Sequence, residues 1–325
     1  MIKAAAFLAL LSLAACTSTP TPPATPPPAP ATPQIDPAFQ ALFPAGAQIE
    51  KIASGFQFIE GPVWLPGDRL LFSDVPGNVI RQWSAEGNQV TEFLRPSENS
   101  NGLIAGPNNS LILCQHSGRR VALRSPSGVL TTVTDRFEGR KLNSPNDAVY
   151  HSDGSLYFTD PPYGLEKQDD DPGKELAFNG VYRLAQGKLQ VLTKDLSRPN
   201  GIALSPDEKV LYVANSDATR KLWMRYAVMP DGTLAAGRVF ADVTAEKADG
   251  LPDGLKVDEK GNVWATGPGG VWVFSPEGKH LGTLKPAEVP ANVAFGGPDG
   301  KTLFMTARTG LYRIQTTVAG KKAVY

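Results

Sequence analysis

Six segments of this chain place an oxygen-bearing side chain at the head of an apolar run: Glu60, Asn101, Asn146, Asn200, Asp253 and Asn292. Two carboxylates and four carboxamides, with no thiol among them, are the donors a hard cation prefers. A second set follows: Asp74, His116, Asp160, Asn215, Asp217 and Arg308. A carboxylate or imidazole beside an open coordination position can take a proton from attacking water. Of the 3 histidines, His151 and His280 fall in turns or outer strands, which leaves His116. A single Asn or Asp before glycine is ordinary turn chemistry. Turn chemistry does not require Glu60 before Gly61, nor Asn146 before Asp147. There is no G-x-S-x-G, H-E-x-x-H or P-loop pattern to suggest other chemistry.

A repeat is what must position these residues. The stretch "NDAVYHSDGSLYF" from Asn146 aligns without gaps with "EGPVWLPGDRLLF" from Glu60, "NGLIAGPNNSLIL" from Asn101, "NGIALSPDEKVLY" from Asn200, "DGLKVDEKGNVWA" from Asp253 and "NVAFGGPDGKTLF" from Asn292. Each runs through a short apolar strand, a tight turn and a second apolar strand. The starts lie 41, 45, 54, 53 and 39 residues apart, the period of propeller blades with four short strands each. The sequence therefore predicts an all-β fold: a six-bladed β-propeller over residues 41–325 with a metal site in its central channel. The first strand of each blade lines that channel, so the six starts meet at one end. The second strand returns to the same mouth and delivers the second set to its rim. Only two strands, "LFMTA" and "GLYRIQT", complete the last copy, so "AQIEKIAS" (47–54) is expected to supply the outer strand that closes the ring.

The segments "EGPVW", "SPNDAV", "RPNGIAL" and "LPDGLKV" resemble the four metal-ligand segments of the family of senescence marker protein 30 (regucalcin), gluconolactonase and luciferin-regenerating enzyme. "NSNGL", "CQHSGRR", "FTDPPYGL" and "FNGVYRL" resemble its bacterial gluconolactonase branch, and the likeness spans residues 45–320. The resemblance implies a lactone hydrolase with Glu60, Asn146, Asn200 and Asp253 around one divalent cation. Calcium is the first expectation, with magnesium, zinc or manganese as alternatives; the oxygen donors by themselves favour calcium or magnesium over zinc. It also implies substrate contacts from Asn101 and His116, with Asp147 touching substrate or orienting the ligands from behind and Asp160 beside them. Mammalian relatives carry arginine two positions before the "ND" pair, where this chain has Ser144.

Opening a lactone passes through an oxyanion, which a bound cation stabilises while it activates water. Asp253 is the candidate base where its second oxygen faces substrate; Asp160 and His116 are the alternatives. Two other readings remain open: an esterase or organophosphate hydrolase on the same ion, and a non-enzymatic binding propeller with a structural ion. The loop from about Pro161 to Asn179, which contains the acidic "QDDD", is expected to cover the substrate.

With 32 basic and 32 acidic residues, nothing in the charge balance suggests nucleic acid as a partner. The partner expected is a small-molecule lactone. Two cysteines make no disulfide framework; Cys114 reads as strand packing. The other, Cys16, ends "LAAC", which resembles the lipobox of bacterial lipoproteins. Residues 1–15, with Lys3 and an apolar run too short to span, read as the signal. Residues 16–40 read as a lipidated cysteine and a proline-rich tether, extended at about 3.1 Å per residue. The expected place is the cell envelope, anchored to the outer membrane through the lipid on Cys16 and facing the periplasm.

Overall fold

Frequent Gly, Pro and Asn turns break this chain into runs of four to eight β-branched and aromatic residues, which pair as strands rather than winding into helices. The computed structural model describes Met1 and residues 36–325, so the readings of Cys16 and most of the tether lie outside the described residues. Among the described residues there are six four-stranded antiparallel sheets. The inner strands are Ile59–Leu65, Ser100–Ala105, Ala148–Tyr150, Pro199–Leu204, Leu255–Val257 and Asn292–Gly296. They surround one channel, and the structure is the six-bladed propeller that the repeat implies.

The ring closes as expected. Strand Glu50–Ser54 adds to the last blade as its outer strand, with Glu50 opposite Arg313 and Ser54 opposite Gly310. Both faces of each sheet are buried against neighbouring sheets, so the core is divided into six clusters, one per seam. Leu65, Leu71 and Leu103 fill the seam between blades one and two. Trp264, Val293 and Leu303 fill that between blades five and six. Cys114 is packed in the seam between blades two and three, among Ile112, Leu156 and Phe158.

The structure moves one boundary. Residues 37–40, read as the end of the tether, form a one-turn helix, Pro37–Gln40, capped by Asp36 Oδ1, which accepts the Ala38 N–H at 2.8 Å. Phe39, Leu42 and Phe43 then pack on the blade five–six seam, with the Phe43 ring 5.8 Å from that of Trp264. Hydrophobic burial overrides the proline signal here. At the channel end away from the six starts, residues 320–324 line a cavity of about 170 Å³ together with Val63, Leu103, Ile202 and Lys256.

Candidate active site at the channel mouth

Five of the six starting residues are brought to the channel by breaks in strand pairing; Asn292 sits in regular register opposite Thr306. In blades one, two and four the register between inner and second strands shifts at Glu60/Val63, Ser100/Leu103 and Pro199/Ile202. A bulge of this kind turns a side chain out of the regular alternation, and bulges are common beside active sites. It aims Glu60, Asn101 and Asn200 at the channel. Blades three and five use a shared variant: Asn146 and Asp253 donate their N–H groups to Thr159 and Thr266, whose own N–H groups return to Asp147 and Gly254.

Neighbouring blades approach closely at this level. A Cβ on Gly61, whose φ is +49°, would lie 1.9 Å from the Asn101 carbonyl oxygen; one on Gly254 would lie 2.0 Å from Asn292 Cγ. Side-chain hydroxyls tie one blade to the next. Ser73 Oγ donates to Asn101 O at 2.8 Å, Thr159 Oγ1 to Asn200 O at 2.7 Å, and Thr266 Oγ1 to Ala291 O at 2.8 Å. The glycine after Glu60, Asn101, Asn200 and Asp253 is thus a packing requirement; blade six has Val293 in that slot, and blade three alone puts a carboxylate, Asp147, there.

All six starts are buried or half-buried at the mouth. Glu60 Oε2 accepts from Gly61 N–H at 2.7 Å and from Asn292 Nδ2 at 2.9 Å. Burial, together with the nearby Asp147 charge, pushes the Glu60 carboxyl well up from its ordinary value. Asp253 is driven up further by burial and by the charges of Glu60 and Asp147, with which it shares the channel. Asp253 Oδ1 is buried and has no hydrogen-bond partner. Asn200 Nδ2 is held by Ser216 Oγ at 2.8 Å, which leaves the carboxamide oxygen as its free end. Asn146 is also buried; its carbonyl accepts from Gly102 N–H at 2.7 Å. Asp147 lies 3.6 Å from Lys256 Nζ, and its Oδ2 makes no hydrogen bond.

Blade two contributes two further unsatisfied atoms, Asn101 Oδ1 and His116 Nε2. Burial lowers the His116 pKa to about 4, so the ring is neutral at pH 7 and its charged form is disfavoured.

The second set is a correction to the rim expected from the sequence. Asp160 is fully buried, and its two oxygens accept from Asn143 N–H and Ser144 N–H, both at 2.8 Å. Burial raises its pKa to about 7 against those bonds. With both oxygens bonded to backbone N–H groups, it clamps the segment leading into Asn146. Asp74 does the same in blade one, where Oδ1 accepts from Gln57 and Phe58 N–H at 3.1 and 3.2 Å. Asn215 Oδ1 accepts from Arg198 N–H at 2.8 Å in blade four. Asp217 bonds Ser197 and Thr219, and Arg308 points out toward Asp249. These residues close the antiparallel pair at its end, a task the sequence does not distinguish from lining a pocket. Only His116 of this set keeps a free buried atom at the mouth.

Two residues near the site were not anticipated: Lys256, three positions past Asp253, and Tyr163, a half-buried phenol whose pKa is pushed up by burial and by the Asp253 charge. A lone lysine in the apolar run "GLKV" was a usable signal for the first. The loop expected to cover the mouth is tied down by both flanking blades. Arg119 Nη1 of blade two donates to Gly173 O at 2.9 Å, and Arg198 of blade four pairs with Asp169.

A propeller that gathers two carboxylates, several carboxamides and a neutral imidazole at one mouth of its channel defines a channel-mouth site able to take a polar ligand. The chain belongs to the SMP-30/gluconolactonase/LRE-like family, whose characteristic region matches residues 58–309. It is 37% identical over 310 residues to a gluconolactonase of Zymomonas mobilis, covering 88% of this chain and 86% of that one. It is 33% identical over 262 residues to a 6-deoxy-6-sulfogluconolactonase of Pseudomonas putida, covering 76% and 82%. The solved gluconolactonase of Xanthomonas campestris superposes with a TM-score of 0.78 at 31% identity, over 86% of this chain and 93% of that one.

Proposed function

We propose that this protein is a divalent-cation-dependent lactonase that opens a sugar lactone of the gluconolactone type. The observation that carries the reading is the set of buried polar atoms left without partners at one mouth: Asp253 Oδ1, Asn101 Oδ1 and His116 Nε2. Buried polar atoms are costly unless a ligand satisfies them. Family membership and the lactonase names of the relatives point the same way.

The donors fit a cation. Burial and the Asp147 charge raise the Glu60 pKa, and burial with the Glu60 and Asp147 charges raises that of Asp253, a repulsion that a positive charge at the mouth would reverse. No cluster of three or more His, Cys, Asp or Glu suited to a metal occurs among the described residues; the proposed set is two carboxylates and two carboxamides. Glu60, Asn146, Asn200 and Asp253 would hold the ion, and an all-oxygen set selects calcium before zinc. When bound, the cation supplies the positive charge that polarises a lactone carbonyl.

The remaining work falls to the chain's own groups. Asp253 Oδ1 takes the proton from the attacking water and returns it to the ring oxygen as the C–O bond breaks. His116, neutral and weakly basic, serves as a hydrogen-bond partner to a substrate hydroxyl, and Asn101 Oδ1 accepts from another. Asp147 and Lys256 brace the channel below, and Asp160 positions Asn146 without touching substrate.

The test is hydrolysis of glucono-1,5-lactone, followed by pH indicator after EDTA and again with calcium, magnesium, zinc or manganese restored. Cation-dependent turnover that disappears in Asp253→Ala is expected. A protein that binds the cation yet opens no lactone would sink the reading. The envelope location is a separate proposal, resting on Lys3, the apolar run and "LAAC" alone; palmitate labelling that misses Cys16 would refute it.

A further inference from the structure

Ser144 is fully buried and serves two structures at once. Its backbone N–H donates to Asp160 Oδ1 at 2.8 Å, as part of the clamp on the segment that runs into Asn146. Its hydroxyl bonds the covering loop instead. Oγ donates to Pro161 O at 2.6 Å and accepts from Gly164 N–H at 2.8 Å. A hydroxyl has one proton to give and lone pairs to receive with, and here both capacities go to the first turn of the loop.

Gly164 brings that turn against blade two. A Cβ there would lie 2.6 Å from the His116 carbonyl oxygen and 2.7 Å from Ser144 Cβ. The root of the loop is therefore wedged between Ser144 and the backbone of His116, whose Nε2 is buried at the mouth without a partner. The rest of the loop has its own ties. Asn143 Nδ2 donates to Phe178 O at 2.9 Å, and Asn179 Nδ2 donates to Ser197 O at 2.8 Å on the blade four side. None of these involves the Ser144 hydroxyl, so its contribution is confined to the root.

We propose that Ser144 is a positioning residue: its hydroxyl holds the root of the covering loop against His116 and so fixes the wall of the substrate pocket on that side. It acts through Pro161, Gly164 and His116 rather than on the substrate itself. The proposal rests on the lactonase reading and separates two tasks within one residue. The backbone of Ser144 serves Asn146, and its side chain serves the substrate wall. Replacing serine by alanine removes the second task and leaves the first.

The test uses Ser144→Ala and Gly164→Ala in the otherwise unaltered chain. In Ser144→Ala, amide hydrogen exchange over residues 161–165 should quicken at least about ten-fold, while residues 143–147 stay protected. KM for glucono-1,5-lactone should rise about three- to ten-fold with kcat within about two-fold, as expected for neutral hydrogen bonds lost outside the chemistry. The stabilisation gained on adding calcium should not change, because the Asp160 clamp remains. Gly164→Ala pushes the same root from the His116 side and should raise KM likewise. The double variant should fall short of the product of the two effects, since both disturb one contact. Faster exchange with an unchanged KM would overturn the proposal, because the root would then have no bearing on substrate. A raised KM accompanied by lost calcium stabilisation would overturn it as well, since the effect would then lie at Asn146. If Ser144→Ala does not fold, Gly164→Ala decides on the same readouts. Failure of the unaltered protein to open the lactone would remove the lactonase reading and this proposal with it; a negative result confined to the variants leaves that reading intact.

Discussion

Asn292 Nδ2 donates to Glu60 Oε2 at 2.9 Å, joining residues 232 positions apart across the seam where the last blade meets the first. The bond fixes one oxygen of a carboxylate that the proposed cation needs, and it spans the closure of the ring. Asn292→Ala is expected to lower stability by about 1–3 kcal/mol, because a buried acceptor loses a partner. The stabilisation gained on adding calcium should shrink with it. Chemical denaturation with and without calcium measures both; an unchanged midpoint would show that the bond matters to neither fold nor site.

Gly254 and Gly61 make a second prediction. Adding a methyl at Gly254 drives it against Asn292, and at Gly61 against the Asn101 carbonyl in a left-handed backbone. Gly254→Ala should cost about 1–3 kcal/mol through overpacking, and Gly61→Ala more, since backbone strain adds to overlap. Both should reduce lactonase activity beyond what the loss of folded protein explains, by spreading the ring of donors. A Gly254→Ala protein with normal activity and thermal midpoint would show that the seam can relax.

The repeat made most of this legible before any coordinates. Six matching segments were enough to give blade number and closure by the segment 47–54, because alternation and turn chemistry are local. The bulges at Glu60, Asn101 and Asn200 were not legible. "EGP" and "NG" look the same whether they begin a strand or interrupt one. The fate of Asp160 was equally hidden: a carboxylate at a strand end can face a pocket or grip the neighbouring backbone, and the choice depends on where Asn143 and Ser144 lie in space. Phe39 was read as tether because proline dominates the local signal, whereas its burial is set by the seam of blades five and six.

His116 gives a pH dependence with a definite sign. Its folded pKa, lowered to about 4 by burial, lies below the ordinary value of 6.5. Between these values the unfolded chain binds more protons, so stability is full above pH 6.5 and falls as pH drops toward 4. His116→Gln should flatten that part of the stability profile while keeping a polar group at the mouth. Denaturation of both proteins at pH 7, 5.5 and 4.5 checks this; parallel profiles would show that His116 is not the residue responsible.

Glu288 predicts an acid limit of different origin. Burial pushes its carboxyl up, but hydrogen bonds from Lys51, Thr309 and Tyr312 more than offset this and hold the pKa at about 2. Lys51 is on the closing strand, so the cluster fastens the ring. A depressed folded pKa gives stability that is present above about pH 4.5 and lost as pH falls toward 2. Glu288→Gln should lower the thermal midpoint at pH 7, and the gap from the unaltered protein should close as pH approaches 2. A gap that is constant with pH would mean that the cluster stabilises through packing rather than charge.

The loop over the mouth supplies the last prediction. Asp169 pairs with Arg198 and accepts from Asn179 Nδ2 at 3.0 Å, holding the acidic turn down beside Asn200. Both partners of the ion pair are partly exposed, so the latch is worth no more than about 1 kcal/mol. That is enough to bias a cover between closed and open without adding to the chemical step. Asp169→Asn should therefore raise KM for gluconolactone about three- to five-fold with kcat nearly unchanged, since a looser cover weakens substrate and transition state alike. Added salt should weaken the latch in the unaltered protein and narrow the difference between the two. A fall in kcat at constant KM would instead place Asp169 in the chemistry, and equal kinetics across several lactones would show that this loop does not cover the substrate at all.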